Sequence, residues 1–163
     1  MEHMIEIDGW STGLRFSACH ILLRHDKCSR LHGHSYCIHL RIRGDLGKDE
    51  MLLDFSRIKR FLREMAGELD HMTLIPTENS EIIIKNDEEK RNVMVDMNGK
   101  VYVFPRMDVI FLPISTTTVE EMSAYLLHRL LEEFEFPPNV KVVEIGLEEG
   151  PGQGGWTSRT IAE

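Results

Sequence analysis

The sequence has few cysteines, a deficit of positive charge and no long apolar run, and each shortage removes a class of protein. Its three cysteines, Cys19, Cys28 and Cys37, are an odd number without the dense spacing of a disulfide-stapled domain. Free thiols in a reducing compartment are therefore expected. No apolar run approaches the roughly 20 residues of a membrane helix. The N-terminus, MEHMIEIDGW, has no cationic stretch leading into an apolar one, so a cytoplasmic protein with no membrane partner is expected. Lys and Arg number 19 against 27 Asp and Glu, a formal net charge of −8. That balance argues against a surface built for nucleic acid, although a local basic pocket could still take a small anion. No repeat, low-complexity tract or linker divides the chain. With 42% hydrophobic residues in 163 positions, residues 1–163 are expected to form one domain with a proper core.

What is present is patterned. Residues 13–20, GLRFSACH, alternate, with Leu14, Phe16 and Ala18 on one face. Residues 34–43 alternate again, with Tyr36, Ile38, Leu40 and Ile42 together. Two antiparallel strands joined by a long polar loop are the natural reading. Residues 54–69 switch to helical period through Ile58, Phe61, Leu62, Met65 and Leu69, with Asp54 or Ser56 as cap. A second helix is signalled at 119–134, where Thr118 and Glu121 have the spacing of a capping box. Residues 140–147 read as a last strand. Between the helices, 81–84, 92–97 and 100–104 read as short strands, the last two joined by the turn former Asn98-Gly99. The expected fold class is α+β: an antiparallel sheet with two helices on one face, plus a β-hairpin insertion within residues 76–112.

His32-Gly33-His34 is the most informative tripeptide. In an extended segment, residues two apart share a face, so both imidazoles can reach one ion. His34 continues the face of Tyr36 and Ile38, and His20 continues the face of Phe16 and Ala18. Antiparallel pairing of the two strands brings three imidazoles to one edge of the core. Three neutral nitrogens suit zinc, and a fourth position left to water or substrate marks a catalytic site. Cys28 sits in the polar loop between the strands. It is either a catalytic group there or a fourth ligand closing a structural site. His3, His25, His39 and His128 lack such a pattern and are expected to be solvated.

These segments resemble the 6-pyruvoyl-tetrahydropterin synthase and 6-carboxytetrahydropterin synthase superfamily. The matching residues are Phe16-Ser17-Ala18-Cys19-His20, Cys28-Ser29-Arg30-Leu31-His32-Gly33-His34-Ser35-Tyr36, Leu53-Asp54-Phe55, Leu69-Asp70-His71 and Thr118-Val119-Glu120. The Cys-x3-His-Gly-His spacing looks like the carboxy branch, which serves deazaguanine-modified tRNA nucleosides such as queuosine. The chain departs from the pattern at Cys19, at Thr117, after His71, and in the long segment 76–112.

The resemblance implies a tunnelling-fold domain, a zinc cofactor and a dihydroneopterin triphosphate substrate. It also implies trimeric barrels stacked into hexamers. It makes Cys28, Asp70 and His71 catalytic, His20, His32 and His34 the metal ligands, and Glu148, Thr118 and Glu120 the substrate-binding residues. Glu144 and Glu149 compete with Glu148 for the pterin ring. Arg24, Lys27 and Arg30 are candidates for the triphosphate.

Overall fold

The computed structural model describes residues 1–162. The chain opens with β1 (His3–Ile7), α1 (Gly9–Thr12), β2 (Arg15–His20), β3 (His32–Gly44) and α2 (Phe55–Leu69). It continues through β4 (Met72–Pro76), β5 (Ile82–Asn86), β6 (Asn92–Met97), β7 (Lys100–Pro105) and β8 (Val109–Leu112). It ends with α3 (Val119–Glu133), β9 (Val140–Glu148) and β10 (Gly154–Thr160). No helix among the described residues is long and apolar enough to cross a membrane.

The main sheet has seven strands in the order β10-β9-β3-β2-β4-β8, with β1 also paired to β3. β2 and β3 are antiparallel, as the alternation predicts. The sheet as a whole is mixed, not antiparallel throughout, because β2–β4 and β4–β8 are parallel. Sequence patterning missed β4 for a physical reason. Its residues from Thr73 to Pro76 are all buried, so no alternation of apolar and polar positions marks it. β10 also follows the strand read as the last one, pairing with β9.

α2 starts where Asp54 accepts a hydrogen bond from the Ser56 N–H at 2.8 Å. It buries Ile58, Leu62, Met65, Ala66 and Leu69 in the core. These pack with Leu14, Phe16, Tyr36, Ile38 and Leu40 of the sheet and with Met122, Leu126 and Leu130 of α3. Each large apolar side chain so buried contributes about 1.5–3 kcal/mol. Thr118 is the N-cap of α3, but its side chain makes no capping hydrogen bond, so the expected box with Glu121 does not form. The carboxylates of Glu120 and Glu121 in the first turn meet the positive end of the helix instead.

Within residues 76–112, β5, β6 and β7 form a separate three-stranded antiparallel sheet. Asn98 and Gly99 turn between β6 and β7 with φ of 54° and 86°, as the sequence pattern requires. Val93, Val95 and Met97 bury the inner face of this sheet against Ile21, Ile75 and Val109. The expected hairpin is thus part of an ordered layer packed on the strand ends that carry the site.

α1 lies on the face of β3 opposite the main core, and Gly9 makes that approach possible. A Cβ there would stand 2.0 Å from the Ile38 carbonyl oxygen and 2.6 Å from Cys37 Sγ. Gly9→Ala should therefore destabilise the fold by about 1–3 kcal/mol through overpacking. Thermal melting of the variant checks this, and an unchanged midpoint would contradict the close contact. The same cover buries His39, which is only 8% exposed rather than solvated. His25 and His128 are exposed and His3 is half-buried.

Candidate metal centre and active site

The register of β2 on β3 assembles the imidazoles. His20 pairs with His32 and Ala18 with His34. Ligand atoms from His20, His32 and His34 all lie within 4.8 Å of one another. His20 is fully buried, while His32 and His34 are half-buried.

Backbone carbonyls fix two of the ring tautomers. His20 Nδ1 lies 3.0 Å from the Thr117 carbonyl oxygen, and His32 Nδ1 lies 2.7 Å from the Arg30 carbonyl oxygen. A carbonyl can only accept, so each Nδ1 carries the hydrogen, and in the neutral ring each Nε2 is a bare lone pair. Those two Nε2 atoms face each other at 3.1 Å. Two lone pairs so close repel unless a cation stands between them. Burial and the neighbouring His32 push His20 down to about 4, so a proton is poorly held there. Zinc–nitrogen bonds of about 2.0–2.1 Å place tetrahedral ligand atoms about 3.3 Å apart, close to what is found. The donor set therefore fits zinc. The Thr117 and Arg30 carbonyls supply the outer hydrogen bonds that orient metal-binding histidines.

Thr117, with its hydroxyl 3.1 Å from His20 Nδ1, had no sequence signal beyond its place before α3. Tyr36 also escaped notice as a site residue. Its hydroxyl lies 3.3 Å from His20 Nδ1, and burial and the Glu149 carboxylate push its pKa up.

Asp70 and His71 are fastened to β2 from the end of α2. Asp70 accepts the Ser17 N–H at 2.7 Å, and the His71 N–H donates to the Ser17 carbonyl at 2.6 Å. His71 sits at φ 62°, the left-handed region that histidine enters more readily than most residues. Its Nδ1 is 2.8 Å from the Asp70 carboxylate, which fixes the tautomer and leaves Nε2 free. The Ser17 N–H, with the hydrogen bond from His71, holds the Asp70 carboxyl below the usual range. A cavity of about 430 Å³ beside His71 is lined by Ser17, Cys19, Gly33 and Ser35, the positions of β2 and β3 that alternate with the imidazoles.

Cys28 lies half-buried in a single 3-10 turn, Lys27–Ser29. Its N–H donates to His25 Nδ1 at 3.3 Å, and its carbonyl accepts the Leu22 N–H at 2.8 Å. Lys100, the first residue of β7, donates to Ser29 O and Oγ, both at 3.0 Å. The small sheet thus braces the cysteine loop. Arg24, in the same loop, pairs with Glu81 rather than standing free.

Glu148 ends β9 on the face away from the imidazoles. Trp10 Nε1 donates to its Oε2 at 2.5 Å, and His39 Nε2 is 3.6 Å from the same oxygen. The neighbouring Glu149 faces the histidines instead, with an oxygen 3.9 Å from Nε2 of His20 and of His34. Thr118 lines a second cavity, of about 530 Å³, with Leu22, Arg24, His25 and Glu78. Glu120 is exposed on the first turn of α3 and lines neither cavity.

An α+β domain with a three-imidazole cluster on a strand pair, beside an anchored Asp-His pair, defines the class. The chain belongs to the 6-pyruvoyl tetrahydropterin synthase family, whose model matches residues 11–159. A Methanocaldococcus jannaschii protein provisionally named 6-carboxy-5,6,7,8-tetrahydropterin synthase is 33% identical over 155 residues, 93% of each chain. The Aquifex aeolicus 6-carboxy-5,6,7,8-tetrahydropterin synthase is 33% identical over 128 residues, 76% of this chain and 71% of that one. Among solved structures, Plasmodium vivax 6-pyruvoyltetrahydropterin synthase, in a variant with a catalytic residue changed from glutamate to cysteine, superposes with a TM-score of 0.89. That likeness has 28% identity and covers 99% of both chains, so the segment 76–112 falls within it.

Proposed function

We propose that the protein is a zinc-dependent 6-carboxytetrahydropterin synthase. It would convert 7,8-dihydroneopterin triphosphate and water to 6-carboxytetrahydropterin, acetaldehyde and triphosphate. The observation that carries the reading is the pair of bare Nε2 atoms of His20 and His32 facing each other at 3.1 Å. Zinc held by His20, His32 and His34 would supply Lewis-acid polarisation of the substrate's side-chain hydroxyls.

This chain's own residues do the rest. Cys28, as thiolate, takes and returns protons on the side-chain carbons. His71 moves a second proton at Nε2 while Asp70 keeps Nδ1 protonated. Of the carboxylates expected to compete for the pterin ring, Glu149 faces the imidazoles and would accept its N–H donors, whereas Glu148 is held by Trp10 on the other face. Thr118, in the second cavity, and Glu120, exposed at the start of α3, are the further residues assigned to the substrate. Lys27, Arg30 and Arg24 meet the triphosphate, Arg24 by exchanging its Glu81 partner.

The curated relatives at 33% identity and the Cys28-x3-His32-Gly33-His34 spacing favour the carboxy product. The Plasmodium likeness, over 99% of both chains, favours a second reading, the pyruvoyl product with all three side-chain carbons kept. Family likeness also supports a homo-oligomer of trimeric barrels and a place in deazaguanine nucleoside synthesis. Incubation of the zinc-loaded protein with dihydroneopterin triphosphate, with mass analysis of products, separates the cases. A carboxylate with acetaldehyde is expected. A three-carbon side chain would favour the second reading, and no turnover would sink both.

A further inference from the structure

We propose that Glu148, gripped by Trp10 and His39 on the far face of the sheet, is a positioning residue that holds the neighbouring Glu149 carboxylate in place for the pterin ring. The inference rests on the reading of Glu149 as the pterin-binding carboxylate. Glu149 stands where the sheet gives out. It follows the last residue of β9, its N–H donates to the Gln153 carbonyl at 3.1 Å, and the turn it opens runs through Gly150 and Gly152 at φ of 120° and 89°. Glycines in that region lend a turn conformational freedom.

Glu148, one residue earlier, is fastened on several sides. It pairs with Cys37 of β3 and with Gly154 of β10. Gly154 leaves the side chain its room, since a Cβ there would stand 2.8 Å from Glu148 Cγ. Trp10 Nε1 donates to Glu148 Oε2 at 2.5 Å. The Gly9 N–H donates to His39 Nδ1 at 3.2 Å, so in the neutral ring the hydrogen sits on Nε2, 3.6 Å from the same Glu148 oxygen. Among the described residues no hydrogen-bond partner reaches that buried Nε2, and the Glu148 carboxylate is the charge that compensates it. The donors are themselves fixed. Asp8 caps α1 by accepting the Trp10 N–H at 3.0 Å, and Gly9 lies against β3.

Adjacent residues of an extended chain point to opposite faces. Fixing Glu148 on one face therefore fixes the direction in which Glu149 leaves the other, toward Nε2 of His20 and of His34, each 3.9 Å from its carboxylate. A carboxylate that must accept two ring N–H groups at once tolerates little displacement. Through Glu148, α1 acts on the pterin site from across the sheet.

Neopterin, which lacks the triphosphate leaving group and is itself fluorescent, is the probe, and its polarisation reports binding without turnover. Wild type, Trp10→Phe, Glu148→Ala, Glu148→Gln and Glu149→Ala would be titrated, together with Trp10→Phe and Glu148→Ala each combined with Glu149→Ala. Circular dichroism and zinc content of each protein establish that fold and metal are retained. Trp10→Phe keeps an aromatic ring on α1 and carries the test should Glu148→Ala fail to fold. Glu149→Ala should weaken binding at least about tenfold, and Trp10→Phe and Glu148→Ala by about three- to tenfold. Glu148→Gln keeps an acceptor oxygen and should retain most of the affinity. In the Glu149→Ala background neither change should weaken binding further, because residues that act through one another are not additive. Wild-type affinity in Trp10→Phe and Glu148→Ala, or a full additional loss in the double variants, would overturn the positioning role alone. Wild-type affinity in Glu149→Ala would overturn the pterin reading of Glu149, and the inference with it.

Discussion

A His32→Ala protein should fold normally and lose its metal. His32 is half-buried at the start of β3, and its ring makes one backbone hydrogen bond, to the Arg30 carbonyl at 2.7 Å. Removing it costs the core nothing comparable to a buried leucine. It does remove one of three neutral nitrogens, and the one facing His20 Nε2 most closely. Zinc content after dialysis should fall from about one per chain to near zero, since catalytic zinc sites rest on three protein ligands. Metal analysis beside circular dichroism reads both quantities. Full zinc occupancy in a folded variant would remove the assignment.

The complementary result is expected of Cys28→Ala, which should keep metal and fold but lose turnover by about 10²–10⁴-fold. Cys28 sits on the 3-10 turn held by Lys100 through Ser29, so the loop's position does not depend on the thiol. Loss of zinc in this variant would instead make Cys28 a ligand and the site a closed structural one. The other thiols serve as controls. Burial pushes Cys37 up to about 12, which leaves it inert. Cys19 is half-buried against the Thr73 hydroxyl at 3.2 Å. Alanine at either position should be nearly silent in turnover.

The histidine cluster was legible because strand alternation is a strict period of two. Once residues 13–20 and 34–43 read as an antiparallel pair, the faces of His20 and His34 followed. α2 was legible through its stripe of Ile58, Leu62 and Met65, and the β6–β7 turn through Asn98-Gly99. β4 was not, since burial of Thr73 through Pro76 erases alternation. His39 misled because cover by α1 depends on Gly9, whose close approach to β3 leaves no mark on the neighbouring sequence. Glu148 and Glu149 could not be ranked from sequence, because adjacent strand residues face opposite ways and only the register with Cys37 decides which faces the imidazoles.

The length of β3 bears on how the protein is made. This strand of 13 residues takes β1 and β2 as partners from the N-terminal side and β9 from the far end of the chain. At about 5–20 residues per second, ribosomal synthesis leaves the β9-facing edge of β3 bare for roughly 5–20 seconds after the strand appears. All three histidines of the candidate metal centre emerge during the first 34 residues, whereas the Thr117 carbonyl that orients His20 comes more than 80 residues later. An ion captured by the early hairpin would meet unoriented rings. Stable loading of the metal is therefore tied to completion of the chain, and a truncated product ending before α3 would expose an unpaired strand edge beside an unfinished site.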